Sequence, residues 1–153
     1  VVLPLLKPPL ILNYTLISII LAICFVKESG RFSVCHRHFK NPDFSNLSIT
    51  NYEKNKIISF LNQEVLKDIK NAQIYKEYEF MTLENDTIYH GIIDLMLVYH
   101  DHVDIIDYKL KNVDDEAYLK QLDGYKKYVI NKLKKPVKIY LYSIIEDKIK
   151  KIA

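Results

Sequence analysis

The stretch GIIDLMLVYHDHVDIIDYKL, residues 91 to 110, consists of two apolar runs separated by the polar pair His100-Asp101. Apolar runs of this length, rich in Ile and Val and bounded by turn residues, are typical of buried strands. Two strands joined by so short a turn pair antiparallel, and the turn fixes which residues face each other. We therefore predict a β-hairpin in which Tyr99 pairs with His102.

Three charged residues of this hairpin are predicted to lie together. Counting from the turn places Asp94 directly opposite Asp107, with Cβ atoms about 5 Å apart, unless a bulge or a slip changes the register. Lys109 follows Asp107 by two residues, so its side chain points to the same face of the sheet. Two like charges that face each other among apolar neighbours destabilise a fold. Some other interaction must therefore offset this repulsion.

A divalent cation would offset it, because magnesium is typically held by one or two carboxylates, waters and phosphate oxygens. Asp94 and Asp107 would then ligate the metal, with the main-chain carbonyl of Tyr108 as a further candidate ligand. The metal would polarise a phosphodiester and lower the pKa of a bound water. Lys109 would orient that water or stabilise the charge that develops at phosphorus. The alternative is a buried Asp–Asp–Lys cluster without chemistry, but buried ion pairs contribute little stability, which favours the metal site.

The rest of the chain adds two helices and two strands to the hairpin. Thr50 followed by Glu53 forms a capping box, and apolar residues at helical spacing continue from there to about Asn71. The pattern further predicts a strand, a turn, a second helix and a last strand at residues 73–83, 84–87, 114–133 and 137–145. The expected class is α/β (α+β), with the element order α-β-β-β-α-β.

The first 45 residues form a poorly defined N-terminal segment ahead of a domain at 46–153. Residues 10 to 26 are seventeen residues without a charge, which is the short edge for a membrane span. We rank a buried or irregular segment first, a membrane anchor second, and a signal peptide lower because no small-residue cleavage site follows. Residues 31 to 49 are rich in turn formers and are predicted to be loop.

Composition narrows the class of protein. The chain has 153 residues, 49% hydrophobic and 27% charged, which is ordinary for one globular domain and excludes a disordered chain. Its two cysteines, Cys24 and Cys35, are too few for a four-cysteine zinc or iron–sulfur site. A reducing, cytoplasmic setting is the default expectation.

Charge is distributed unevenly along the chain. From Glu77 to Glu116 eleven acids accompany two lysines, whereas from Lys120 to Lys151 ten lysines accompany three acids. An acidic centre followed by a basic arm suits a cation site that acts on a polyanion. A solvated, lysine-rich helix face is the alternative explanation of the basic arm.

The hairpin and the following helix resemble the PD-(D/E)XK nuclease superfamily in its RecB-like branch, in particular the C-terminal nuclease domain of AddA-type helicase–nucleases. The family's G-x-(I/V) segment before an Asp is matched at residues 91–94, and its D-Y-K signature at residues 107–109. Its Y-x-x-Q-L-x-x-Y helix is matched by Tyr118, Gln121, Leu122 and Tyr125. The resemblance covers about residues 50 to 145.

Upstream of the hairpin the match to the family is partial. The family's strand-opening R-E-x-P-F motif resembles residues 76–80, where Glu77 is a possible site residue and Glu79 replaces the proline. Family members carry a metal-site His on an upstream helix, and the candidates here are His36 and His38, in a segment without helical pattern. A solvent-exposed loop is the alternative for both histidines.

The resemblance implies a restriction-endonuclease-like core, which is a mixed central sheet flanked by helices. It also implies that the protein is a deoxyribonuclease that uses Mg²⁺ or Mn²⁺ and has no iron–sulfur cluster. It implies an exonuclease of DNA recombination and repair, with Asp94, Asp107, Lys109 and Gln121 as catalytic residues. Independently, a Gln on an apolar helix face needs a partner; Tyr118 and Tyr125 share that face and are further possible site residues.

Partners follow from the same resemblance. DNA would contact the basic arm through its phosphates, with little sequence preference; the candidate residues are Lys120, Lys126, Lys127, Lys134 and Lys135. The sequence has no G-x-x-x-x-G-K-[ST] motif for a helicase motor. We therefore expect a nuclease that is either free-standing or the detached or truncated nuclease domain of a helicase–nuclease, whose partner would be a helicase subunit or the missing helicase portion. Membrane association is not expected. The alternative is a catalytically inactive DNA-binding or scaffolding domain of the same fold.

Overall fold

The structure, a computed structural model, describes residues 2–4, 25–28, 31–34, 44–45, 49–109 and 115–153. Its strands are β1 (Val2–Pro4), β2 (Phe25–Glu28), β3 (Arg31–Val34), β4 (Gln73–Glu84), β5 (Thr87–Val98), β6 (Val103–Lys109), β7 (Val137–Ser143) and β8 (Lys148–Lys151). Its helices are α1 (Asn51–Leu61) and α2 (Glu116–Leu133), and two 3-10 turns lie at Glu64–Leu66 and Ile69–Asn71.

The strands form one mixed sheet. Its order is β2-β3-β4-β5-β6-β7-β8, and β1 pairs with β5 outside this path. Neighbours from β2 to β6 are antiparallel, β6 and β7 are parallel, and β8 returns antiparallel to β7. A parallel pair needs a crossover, and α2 supplies it between β6 and β7. The predicted α/β class with a mixed sheet is therefore confirmed.

The register of the β5–β6 hairpin is the one predicted from its turn. The ladder runs from Val98–Val103 to Leu95–Ile106, and Tyr99 N donates to His102 O at 2.9 Å. No residue is inserted between the turn and Leu95, so both strands keep the alternation that the site requires.

Two hydrophobic cores lie on opposite faces of this sheet. On β6, Ile106 and Tyr108 pack in the core beneath α1 and the 3-10 turns. Val103 and Ile105, which point the other way, pack in the core beneath α2. Because side chains alternate along a strand, Asp107 and Lys109 lie on the α2 side of the sheet, and Asp104 lies on the α1 side.

Helix α1 begins as predicted but ends earlier. Thr50 Oγ1 accepts a hydrogen bond from Glu53 N at 3.2 Å, and Glu53 Oε2 accepts one from Thr50 N at 2.7 Å, which completes the capping box. The predicted end near Asn71 is wrong, because Gln63 is extended and two 3-10 turns follow. These turns still bury Leu66 and Ile69 in the α1-side core, so the apolar spacing persists although the α-helix has ended.

The predicted element order was incomplete at both ends. Residues 31–34 form β3 rather than loop, and β3 pairs with β2 and, at Phe32–Ile74, with β4. The short strand β8 was not predicted, because a lysine-rich tetrad resembles solvated surface until an edge such as β7 offers pairing. Of the hydrophobic stretch 10–26, residues 10–24 lie outside the described residues. In the part of the chain that is described, no helix is long and apolar enough to cross a membrane.

Candidate active site at the end of the β5–β6 ladder

Asp94 and Asp107 stand where the backbone pairing of β5 and β6 gives way to a side-chain contact. One step beyond the Leu95–Ile106 pair, the same register sets Asp94 opposite Asp107. There Asp94 Oδ2 accepts a hydrogen bond from the main-chain N–H of Tyr108 at 2.8 Å. The two aspartates are only 7% and 0% exposed. The predicted juxtaposition of two buried carboxylates is thus present.

Lys109 joins this pair on the α2 side of the sheet. Its ammonium forms an ion pair with the Asp107 carboxylate, and the residue is 6% exposed. Its Nζ also lies 4.3 Å from the centroid of the Tyr118 ring on α2, where the negative face of the ring attracts a cation. The main chain of Lys109 is fixed as well, because its carbonyl accepts from Ile144 N at 2.9 Å.

Glu77 occupies the position on β4 that neighbours Asp94. The pairs Lys76–Leu95 and Tyr78–Ile93 bracket it, so Glu77 and Asp94 share one register position. Its φ of 47° lies in the left-handed region, which is unfavourable for a residue with a Cβ and is often found at functional sites. The side chain is exposed, so Glu77 lies at the rim of the site.

Gly91 explains how α2 approaches the sheet closely. A Cβ at this position would lie 2.7 Å from the Phe80 ring and 2.8 Å from the Tyr125 ring. Without one, the Tyr125 ring packs edge-on against Phe80, with centroids 5.6 Å apart. The glycine three residues before Asp94 therefore sets the distance between β5 and the helix face that carries Gln121.

Helix α2 presents the predicted polar face to the sheet. Asp115 caps it by accepting from Ala117 N at 2.9 Å. Gln121 Nε2 donates to Tyr125 Oη at 2.7 Å, so this amide has a partner within its own helix. Tyr118 contacts Lys109, as described above. Residues 110–114, which include Leu110, lie outside the described residues.

The candidate DNA-binding lysines lie on α2 and directly after its end. Lys120 and Lys127 are exposed on the outer side of the helix, and Lys127 pairs with Asp123 at 2.7 Å. Lys126 is half-buried, and Lys134 ends the helix in a left-handed conformation, with φ of 54°. Lys135 donates to the carbonyl of Tyr99 at 2.6 Å, at the far end of β5 from Asp94.

Lys132 belongs to a cluster that the sequence interpretation missed. Its Nζ donates to Tyr78 Oη at 2.5 Å and to Tyr128 Oη at 3.0 Å. Burial alone would raise the pKa of Tyr78, but the hydrogen bonds from Lys132 and Tyr128 outweigh it and lower this pKa. Hydrogen bonds to Tyr128 and Tyr78 raise the pKa of Lys132. The spacing of Tyr128 and Lys132 by one helical turn is the only sequence signal for this cluster.

The donor set at the carboxylates suits a hard cation. In the described parts of the chain no group of three or more His, Cys, Asp and Glu is arranged to hold a metal. Asp94 and Asp107 offer two carboxylates, and the main-chain carbonyl of Tyr108 is adjacent. Magnesium commonly binds to one or two protein carboxylates, because it keeps several of its waters as further ligands. His36 and His38 lie outside the described residues.

Comparisons with known proteins add no family to this geometry. No protein-family model matches the chain, and no curated protein matches it. The chemistry of the site therefore has to be inferred from Asp94, Asp107, Lys109 and the helix face packed against them.

Proposed function

We propose that this chain is a magnesium-dependent deoxyribonuclease that hydrolyses phosphodiester bonds at Asp94, Asp107 and Lys109. One observation carries the proposal: two buried carboxylates and a buried lysine converge where the β5–β6 ladder ends. Burying two carboxylates together is costly in a fold that gains nothing from them. Titratable groups held in this way are frequent in active sites.

The residues present fit a resident Mg²⁺ or Mn²⁺. Asp94 and Asp107 would hold it, together with the carbonyl of Tyr108. Asp94 also accepts a hydrogen bond from the N–H of Tyr108. This bond orients the Asp94 carboxylate and the main chain of Tyr108, whose carbonyl is the third proposed ligand. When bound, the metal neutralises phosphate charge and makes a water more acidic.

Lys109 is suited to act on the reacting water or on the charge that develops at phosphorus. The Tyr118 ring and the Asp107 carboxylate hold its ammonium from two sides, so little reorganisation is needed when substrate arrives. Gln121 lies one turn after Tyr118 on the same helix face and is bonded to Tyr125. It is a positioning residue in this proposal, and its amide carbonyl remains able to accept a further hydrogen bond.

The proposed substrate is DNA, which the chain would bind through the DNA phosphates. Lys120, Lys126, Lys127 and Lys134 are available for phosphate contacts, which supply affinity without reading the sequence. We propose an exonuclease of DNA recombination and repair that receives its strand from a helicase subunit. The resemblance of the D-Y-K and Y-x-x-Q-L-x-x-Y segments to the RecB-like branch supports this finer assignment.

The test is a cleavage assay on end-labelled linear single- and double-stranded DNA, with Mg²⁺, with Mn²⁺ and with EDTA. We expect metal-dependent cutting by the native chain and its loss in Asp107→Asn and Lys109→Gln. Glu84→Gln and Lys70→Ala change exposed residues and should cut normally. Circular dichroism of each variant verifies folding. DNA binding without cutting, unchanged in the variants, would instead identify a non-catalytic DNA-binding domain.

A further inference from the structure

A second polar site lies on the other face of the sheet. Asp104 precedes Asp107 on β6 by three residues, so it points to the α1 side, about 10 Å along the strand. There it lines a cavity of about 660 Å³ between the hairpin turn, the 3-10 turns and β7. We call this cavity the Asp104 pocket. Its size is within the range of small-ligand sites, about 300–1,000 Å³.

Asp104 is buried in this pocket with one oxygen left without a hydrogen bond. The residue is 5% exposed, and among the described residues its Oδ1 has no hydrogen-bond partner. The nearest side-chain nitrogen of the hairpin turn is His102 Nε2, at 3.6 Å, which is beyond hydrogen-bond range. A buried carboxylate oxygen without a donor is unfavourable, so a donor from outside the described chain would stabilise it.

His102 faces the same space with a second acceptor. Its Nδ1 lies 2.7 Å from Asp101 Oδ1. A carboxylate can only accept, so the neutral ring places its proton on Nδ1 and leaves Nε2 as an acceptor. The ring is held in place by stacking on Tyr99, with centroids 4.5 Å apart and planes within 11°. Nε2 and Asp104 Oδ1 are therefore two fixed acceptors that one donor group can bridge.

The walls of the pocket favour a cation with a flat face. Tyr99 and Tyr140 line it, and so do the acids Glu64, Asp68, Asp101 and Asp104, with Lys138 as the opposing charge. Burial, followed by the charges of Asp104 and Asp68, raises the pKa of Tyr99 to about 12, so its ring remains neutral. Aromatic faces attract cations.

We propose that the Asp104 pocket binds a guanidinium group, which bridges Asp104 Oδ1 and His102 Nε2 and packs against Tyr99 or Tyr140. Guanidinium fits because it is planar, carries five N–H donors in a rigid fork and stacks on aromatic rings, whereas an ammonium is a compact, strongly hydrated point charge. The group could belong to a small arginine-like molecule or to an arginine side chain of a protein partner. This site is independent of the proposed nuclease activity.

Two series of probes test the proposal on the full chain by isothermal titration and two-dimensional NMR. N-acetylarginine amide represents the small molecule, and a Gly-Arg-Gly peptide represents the partner side chain. The citrulline counterpart of each, with a neutral urea in place of guanidinium, is the matched control. We expect saturable shifts at Tyr99, His102 and Asp104 with the arginine probes only. A peptide that binds more tightly than the amide would indicate a protein partner, and equal affinity would indicate a small molecule.

Variants in the pocket should change the affinity in opposite directions. Asp104→Asn removes a charge-assisted hydrogen bond and should weaken binding at least about tenfold. Lys138→Ala removes the opposing cation and should strengthen binding, while Glu84→Gln, exposed on β4, should leave it unchanged. Equal binding of the citrulline probes, unchanged affinity in Asp104→Asn, or no saturable binding of any arginine probe would overturn the proposal.

Discussion

The ammonium of Lys109 lies 4.3 Å from the centroid of the Tyr118 ring. This contact joins the end of β6 to the first turn of α2, although residues 110–114 separate the two in the chain. It places the D-Y-K strand segment and the tyrosine–glutamine helix face in one site. It also means that the position of Lys109 depends on α2 and not only on its own strand.

Tyr118 should therefore affect catalysis through Lys109. Tyr118→Leu removes the aromatic face and should reduce the rate of DNA cleavage about fivefold to thirtyfold, as expected for a partly desolvated cation–π contact of about 1 to 2 kcal/mol. Tyr118→Phe keeps the ring and should retain most of the rate. Single-turnover cleavage measures both variants. Equal losses in Phe and Leu would show that the hydroxyl, rather than the ring, is what matters.

Gly91 should tolerate no side chain. Gly91→Ala places a Cβ within 2.7 Å of the Phe80 ring, and such overpacking typically costs about 1–3 kcal/mol of unfolding free energy. Urea unfolding measures the loss. Gly91→Ala should lower the unfolding free energy less in a Phe80→Leu background than in the native background, because the smaller side chain leaves room for the new Cβ. If Gly91→Ala leaves the unfolding free energy of the otherwise native chain unchanged, α2 does not pack against β5 as closely as described.

Asp104 should make stability depend on pH. Burial raises its pKa in the folded protein, against the opposing charges of His102, Lys138 and Lys151. Because the pKa of Asp104 is higher in the folded state than in the unfolded state, the free energy of unfolding falls as pH rises from the unfolded-state pKa to the folded-state pKa. Above the folded-state pKa the loss is complete. Asp104→Asn should therefore raise the unfolding free energy at neutral pH by about 1 kcal/mol.

The same substitution should have little effect near about pH 3, where the carboxyl is protonated in both states. Urea unfolding at the two pH values, with Glu84→Gln as the exposed-acid control, tests this difference. A gain of equal size at both pH values would show that the charge of Asp104 is not responsible.

Lys132 should control the ionisation of Tyr78. Lys132→Met removes its hydrogen bond and charge while keeping most of the side-chain length, so the pKa of Tyr78 should rise from its lowered value. Tyrosinate absorbance during an alkaline titration, compared with Tyr78→Phe to identify the signal, follows the change. Lys127→Met, on the outer side of α2, should leave it unaltered. An unchanged Tyr78 titration in Lys132→Met would remove Lys132 from the cluster.

The sequence predicted the hairpin and its carboxylates well because two local rules determine them. A two-residue turn sets the register, and alternation along β6 then places Asp107 and Lys109 on one face. The capping box at Thr50 is local in the same way. These features depend on residues close in sequence, so one chain suffices to infer them.

Features that depend on distant parts of the chain were missed. The strand β8 exists because β7 offers an edge, and the 3-10 turns bury Leu66 and Ile69 without continuing α1. Two further features bring together elements that are distant in the sequence. One is the contact between Lys109 and Tyr118, and the other is the Asp104 pocket. His102, predicted from the sequence only as the partner of Tyr99 in the hairpin, lines that pocket.

The most direct test of the central claim is whether a divalent cation binds between Asp94 and Asp107. Mn²⁺ broadens NMR signals of nearby nuclei, and the amide of Tyr108, bonded to Asp94, reports on this location. We expect Mn²⁺ to broaden that amide first in the native chain, Mg²⁺ to compete, and Asp94→Asn and Asp107→Asn to abolish both broadening and DNA cleavage. Cleavage that persists in these variants, or a Tyr108 signal unaffected by Mn²⁺, would contradict the account.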